Sequence, residues 1–326
     1  MDKIAVVTGI TGQDGAFLSD FLLKKNYKVI GLAPTIQEDH LVRLKYFNIG
    51  KKVVLRKGSV ADGGFIKQIL KKYKPSEFYN LAGQSSVSKS WIHPEGTFVT
   101  NGVAVIAILE MIRLYSPSTR FFQCSSAEIY GNTSKIVDEN LEVFDPVSPY
   151  GISKLAAHLA VKNFRQQYGI FAVNGILFNH ESPLRAEGMV AKKIANGVAK
   201  ISLGTQKKLV LGDINVLRDW GYAGDFVEAM WLMLQQLTPK DFVICSGISL
   251  PITKFLAEAF SYVGISNWQK YVVLDRDLLR KMEIKKMKGS ANLITKELGW
   301  EHKINLKGLV KLMIDYELEL IKNKSF

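Results

Sequence analysis

Two spacings of apolar residues alternate along the first half of the chain. The runs IAVVTG (4–9), YKVIGLA (27–33), VVLRKGSV (53–60), EFYNLAG (77–83) and RFFQCSS (120–126) are short and nearly continuous, as expected of strands buried on both faces. Between them, AFLSDFLLKKN (16–26), FIKQILKKYK (65–74) and VAVIAILEMIRLY (103–115) carry apolar residues at helical spacing. Strands separated by helix-length segments predict βαβ units, hence a doubly wound α/β fold with a parallel sheet and helices on both faces. A longer helical pattern follows in LAAHLAVKNFRQQYG (155–169), then a strand-like FAVNGILF (171–178). Beyond it the regularity weakens. NHESP and the stretch to 212 read as loop and helix, DFVEAMWLMLQQ (225–236) as an amphipathic helix, and KGLVKLMIDYELELIKN (307–323) as a last helix. The pattern predicts a first domain over 1–178 and a smaller second domain mainly over 179–326. The two are interwoven, with 213–248 returning to the first.

Bulk properties narrow the class. At 326 residues and 47% hydrophobic content the chain can bury a full core. No run of 18 or more apolar residues occurs, and MDKIAVVTGI goes straight into a strand-like segment, so a cytoplasmic protein with no membrane partner is expected. Cys124 and Cys245 lie far apart without metal-ligand spacing, which predicts neither a disulfide framework nor a metal site. The net charge of +13 is spread over lysine pairs such as 24–25, 51–52 and 192–193, with no basic helix or arginine-rich arm. That distribution suits solvated faces and a phosphate-bearing ligand better than nucleic acid.

Two motifs carry chemistry. TGITGQDG places Gly9, Gly12 and Gly15 between the opening strand and the first helix. Glycines there permit a tight turn and let the backbone approach a pyrophosphate, which the positive end of the helix then holds. Further on, VSPYGISK (147–154) sets Tyr150 and Lys154 four apart at a helix start, on one face. A phenol titrates near ~10. A neighbouring cation favours the phenolate, so the pair is a candidate general base beside a dinucleotide.

Together with CSSAEIYG (124–131), these motifs resemble the extended short-chain dehydrogenase/reductase family, and so imply a Rossmann fold. FNHESP (178–183), the LGD-x4-RDWGYAGDFVEAMWLML stretch (211–234) and YNLAGQS (79–85) resemble more narrowly the GDP-mannose 4,6-dehydratases. The resemblance covers nearly the whole chain. It implies oxidation of the sugar at C4, loss of water across C5 and C6, and return of the hydride to C6, feeding deoxysugar and surface-polysaccharide synthesis. By the same resemblance Tyr150 takes the O4 proton, Lys154 tunes Tyr150 and holds the cofactor ribose, Ser126 hydrogen-bonds O4, and Glu128 removes the C5 proton and helps the C6 hydroxyl leave. Simple epimerases and reductases of the superfamily need no such carboxylate. The resemblance places Gly9, Ile10, Thr11, Gly12, Gln13, Asp14, Gly15, Ser59, Val60, Leu81, Ala82, Gly83, Gln84, Ser85, His180 and Arg185 around the dinucleotide. It sets Asn179, Val190, Lys193, Arg218, Arg280 and Glu283 on the nucleotide sugar. A homo-oligomer, dimer or tetramer, is implied as well.

The departures are local. Members using NADP carry an arginine pair after the second strand, where this chain has GLAPTIQEDH (31–40) and no Arg or Lys before Arg43. No acid marks that strand end for NAD either, so the expected cofactor is NADP with NAD possible. GSVAD (58–62) replaces the usual acid with Ser59, Val147 stands where an arginine is common, and RKMEIKK (280–286) lacks the usual proline and aspartate. A GDP-linked heptose is the alternative substrate and a 4-epimerase or 4-ketoreductase the alternative enzyme. A catalytically silent dinucleotide-binding regulator is the alternative of another class.

Overall fold

The computed structural model describes residues 3–279 and 282–324. Its strands are β1 (Ile4–Thr8), β2 (Lys28–Ala33), β3 (Val54–Lys57), β4 (Glu77–Asn80), β5 (Arg120–Ser126), β6 (Ala172–Leu177), β7 (Asn179–Glu181), β8 (Leu209–Leu211), β9 (Leu217–Tyr222), β10 (Phe242–Ile244), β11 (Ser249–Pro251) and β12 (Val272–Leu274). Seven of them form one parallel sheet in the order β10-β6-β5-β4-β1-β2-β3.

The continuous apolar runs are explained by cover on both faces. In β1, Ala5 and Val7 pack under the helices Gln13–Lys24 and Ala223–Leu234, with Phe17, Leu18, Phe226 and Met230. Val6 points the other way, toward Ile66, Ile69, Val105, Ile108 and Val161 of the helices Gly63–Tyr73, Ala104–Tyr115 and Pro149–Tyr168. Full burial of such a side chain stabilises by about 1.5–3 kcal/mol.

Strands end where the backbone has other work. Gly9 leaves β1 with φ +65°, and after Asn80 the amides of Leu81 and Ala82 turn to donate to Thr8 Oγ1, each at 3.0 Å. A second apolar cluster joins the helices Val190–Ser202, Ile252–Tyr262 and Leu306–Lys324, with Trp220 of β9. Beside it lie a three-stranded sheet, β11-β9-β7, and the pair β12-β8.

The structure differs from the sequence reading in several places, among them β8, which lies inside the stretch to 212 read as loop and helix. NHESP is not wholly loop, because Asn179–Glu181 forms β7 and pairs in parallel with β9. The helix read at 103–115 is the end of a longer run, Pro94–Phe98, a π turn Val99–Val103, then Ala104–Tyr115. This run is long and apolar enough to cross a membrane, yet Val105, Ile108, Leu109 and Ile112 are fully buried against the sheet, as in the core helix of a globular domain.

Candidate active site

Strand order reverses between β1 and β4, so the chain leaves them in opposite directions and opens a crevice at their carboxyl ends. A methyl group on Gly9 would come within 2.9 Å of the Ala82 backbone and the Leu81 carbonyl, and one on Gly15 within 2.3 Å of the Gly9 carbonyl. Only glycine fits there. Gly12 caps the helix Gln13–Lys24 without a side-chain hydrogen bond, leaving its first-turn amides to an outside acceptor. This cradle fits the pyrophosphate of a dinucleotide, with Gly9 to Gly15 on one side and Leu81 to Ser85 on the other. Thr8 ties the two loops together, its Oγ1 also donating to Asn80 Oδ1 at 2.7 Å. The second loop is held by Asn101, in the π turn and 1% exposed, whose amide bonds both the N–H and the C=O of Gln84.

His180 and Asp14 meet under the first loop, Nε2 to Oδ2 at 2.9 Å, with the imidazole stacked on Phe226 at 4.6 Å between centroids. Burial alone would raise Asp14, but His180 and Gln13 hold it down to about 2. Gln13 donates to Asp14 and to the His180 carbonyl, and accepts from Ser182. Arg185 pairs with the buried Glu181 at 3.0 Å, and burial pushes that carboxyl up against the pull of the guanidinium. Arg43 bonds the carbonyl oxygens of Leu184 and Thr11.

The catalytic candidates converge at the end of β5. The helix Pro149–Tyr168 starts where Ser148 Oγ accepts from the Gly151 amide at 3.0 Å and Pro149 occupies its first position. One turn in, Lys154 Nζ donates to the Cys124 carbonyl at 2.7 Å and stands 5.8 Å from the Tyr150 ring centroid. It also reaches the second loop, since a methyl on Gly83 would lie 3.8 Å from Nζ. Ser126 lies beside the Tyr150 phenol, and its Oγ accepts from the Glu128 amide at 3.2 Å. Glu128 is half-buried in the short turn Ala127–Tyr130, with its carbonyl beside Gly151. Ser126, Glu128, Tyr150 and Lys154 are thus brought together.

One sequence-based expectation is reversed. Burial raises the Tyr150 phenol more than Lys154 lowers it, so in the protein alone the phenol titrates above its ordinary value. For Lys154, burial would lower the ammonium, but Cys124, Tyr150 and Asp14 together raise it, and it stays charged.

On the sugar side, Asn179 lies in β7 opposite Trp220, and Arg218 lies two residues before Trp220 in β9. Arg218 pairs with Glu283 at 2.5 Å and donates to the Ile284 carbonyl at 2.7 Å, so these two predicted residues meet each other. Val190 and Lys193 stand in the first turn of the helix Val190–Ser202. Arg280 lies outside the described residues. At the far end, Ser59 is exposed and accepts from the Ala61 amide, while Val60 packs partly against the sheet. Thr8, Asn101 and Arg43 were missed by sequence reasoning. Thr8 abuts the glycine loop and was findable there, whereas Asn101 sits in an apolar run that gives no signal. Among the described residues, no group of three or more His, Cys, Asp or Glu is placed to hold a metal ion.

Comparison with known proteins turns this geometry into a family. The profile of the family described as GDP-mannose 4,6 dehydratase matches residues 6–313. The chain belongs to the GDP-mannose 4,6-dehydratase family. It is 42% identical to GDP-mannose 4,6 dehydratase 1 of Arabidopsis thaliana, over 99% of this chain and 91% of that one. Identity to the GDP-mannose 4,6-dehydratase of Vibrio cholerae is 37%, over 97% and 94%, and to that of Homo sapiens 36%, over 98% and 92%. Among solved structures, a dTDP-glucose 4,6-dehydratase of Bacillus anthracis in complex with NAD superposes with a TM-score of 0.84 at 20% identity, covering 99% of this chain and 98% of that one. A UDP-glucose 4-epimerase of Thermotoga maritima does so with 0.83 at 24%, covering 98% and 99%. These structural likenesses carry the fold alone. Family membership makes the chain a hydro-lyase of nucleotide sugars, in a family that works with NADP(H).

Proposed function

We propose that this GDP-mannose 4,6-dehydratase family member converts GDP-mannose to GDP-4-keto-6-deoxymannose, with Glu128, Tyr150, Lys154 and Ser126 as its catalytic residues. The observation that carries the assignment is the convergence of a carboxylate, Glu128, with the Ser126–Tyr150–Lys154 set at the end of β5. Gly9 to Gly15 and Leu81 to Ser85 would hold the dinucleotide, which would supply hydride acceptance from C4 of the sugar and hydride donation to C6. Tyr150 accepts the O4 proton as the ketone forms, and Ser126 shares its hydrogen bond with the same oxygen. Lys154, held by the Cys124 carbonyl, keeps its charge beside the phenol and stabilises it as phenolate. Glu128 takes the C5 proton, made acidic by the adjacent ketone, and passes a proton to the C6 hydroxyl, which leaves as water; the proton that Tyr150 took from O4 then goes to C5 as C6 is reduced. Positioned acid–base groups of this kind contribute about 10²–10⁴ in rate. Arg218 turns from Glu283 to the diphosphate, as suits a guanidinium fork facing phosphate oxygens, and frees Glu283 for the nucleoside ribose. Asn179, Val190, Lys193 and Arg280 complete the sugar-nucleotide side.

The same reading divides the chain into a dinucleotide domain, 1–178 with 213–248, and a substrate domain over most of 179–326. It places the enzyme in the cytoplasm, where its free thiols Cys124 and Cys245 suit a reducing compartment. It also makes the enzyme a homo-oligomer. Val99, Val103 and Ile106 form an exposed apolar stripe, and Ile152 and Leu159 form another on the adjoining helix Pro149–Tyr168. Such stripes suit burial against a second copy. Light scattering tests this part, since Val103→Glu with Ile152→Glu should yield a monomer, and an unchanged mass would place the interface elsewhere. The reaction is tested by Glu128→Gln, which should retain dinucleotide and GDP-mannose binding while losing dehydration. Undiminished turnover would exclude Glu128 as the base.

A further inference from the structure

The environment of His180 fixes more than a contact. Its Nδ1 lies 2.7 Å from the Phe178 carbonyl and its Nε2 lies 2.9 Å from Asp14 Oδ2. A carbonyl and a carboxylate only accept. A neutral imidazole has one N–H, so it would set a bare nitrogen lone pair against one of these oxygens. The ring is 8% exposed and stacked on Phe226, which keeps it from turning to another partner. Both contacts are satisfied only when both ring nitrogens carry protons. Placing the second proton on Asp14 instead is opposed by the bond its Oδ1 accepts from Gln13 at 2.9 Å, and by the nearby Arg185.

The charge matters because of where Asp14 stands. It lies in the first turn of the helix whose amino end faces the pyrophosphate cradle, where an uncompensated carboxylate would repel the incoming phosphates. Building on the proposed dinucleotide crevice, we propose that His180 is a positioning residue that acts as an imidazolium, cancelling the charge of Asp14 and locking that first turn onto β7. It serves the dinucleotide through the turn rather than through the chemistry. Around the ring, the charged groups are Asp14 on the helix Gln13–Lys24, and Glu181 with its partner Arg185 on the segment that follows. Arg43 faces Arg185 and Asp14 from the segment after β2, and the helix Ala223–Leu234 contributes the Phe226 ring. Burial alone would lower the imidazolium, but Asp14 raises it above the ordinary 6.5. Dinucleotide affinity is therefore full below that raised value and declines as pH rises through it.

Two readouts on the intact chain test this without turnover. In ¹⁵N NMR, both His180 ring nitrogens should be protonated at neutral pH, and an unprotonated ring nitrogen there would overturn the proposal. Calorimetric titration with NADP⁺ from about pH 6 to about pH 10 should show the dissociation constant rising on the alkaline side, by up to about tenfold per pH unit. Asp14→Asn should move that rise to lower pH, because the imidazolium loses its counter-charge. If Asp14→Asn instead tightens binding by one factor at every pH, Asp14 merely repels phosphate and the clamp is wrong. A chain that binds no dinucleotide at any pH would overturn the crevice reading itself, while the NMR still decides the charge state of His180.

Discussion

The two ends of the crevice are built differently. At the catalytic end each functional side chain hangs from the end of a regular element. Ser126 closes β5, Glu128 follows in the next turn, and Tyr150 and Lys154 share the first turns of a helix capped by Ser148 and Pro149. Burial and neighbouring hydrogen bonds leave these groups little freedom. Beyond β2, at the adenine end, Pro34 to Leu41 is loop and short 3₁₀ turn, Ser59 is exposed, and no charged side chain precedes Glu38. The first region fixes geometry and can therefore specify a reaction. The second offers surface chemistry, where a departure from the family's residues alters which dinucleotide is preferred and leaves the reaction untouched.

This contrast ranks the effects of substitution. Tyr150→Phe should lower turnover most, by about 10²–10⁴, with dinucleotide binding retained; a loss of binding instead would make Tyr150 a ligand only. Glu128→Gln should fall in the same range for water loss and, unlike Tyr150→Phe, should still permit C4 oxidation, seen as reduced dinucleotide by absorbance. If both variants stop before oxidation, the two residues are not separable steps. Gly9→Ala forces a side chain onto a left-handed backbone and against Ala82, and should cost about 1–3 kcal/mol in denaturant unfolding. An unshifted midpoint would mean the loop rearranges. The smallest change belongs to the adenine end. Thr35→Arg should restore a phosphate partner and shift preference toward NADP over NAD by about tenfold, equal to about 1.4 kcal/mol, read from paired dissociation constants. No shift would mean that another residue already binds the 2′-phosphate.

Legibility in the sequence follows the same division. The glycine loop and the Tyr150/Lys154 pair were readable because local spacing determines both, one by a strand–glycine–helix succession and the other by a helical turn after proline. β5 was readable from its buried Phe121–Phe122 pair and its place after a helical pattern, although Gln123, Ser125 and Ser126 in it are polar. β7 was read as loop because three residues show no alternation, and its pairing with β9 joins segments some forty residues apart. The Arg218–Glu283 pair spans 65 positions and has no local signature. The raised Tyr150 phenol was misread because spacing reveals Lys154, while the burial that outweighs it depends on the whole fold.

The central claim is a dehydration, and the most direct measurement is mass spectrometry of GDP-mannose incubated with the purified chain and NADP⁺ or NAD⁺ in separate tubes. The account predicts a product lighter by one water, formed without net consumption of dinucleotide and absent with Glu128→Gln. A product of unchanged mass with inverted C4 would contradict it, as would stoichiometric dinucleotide reduction with no water lost.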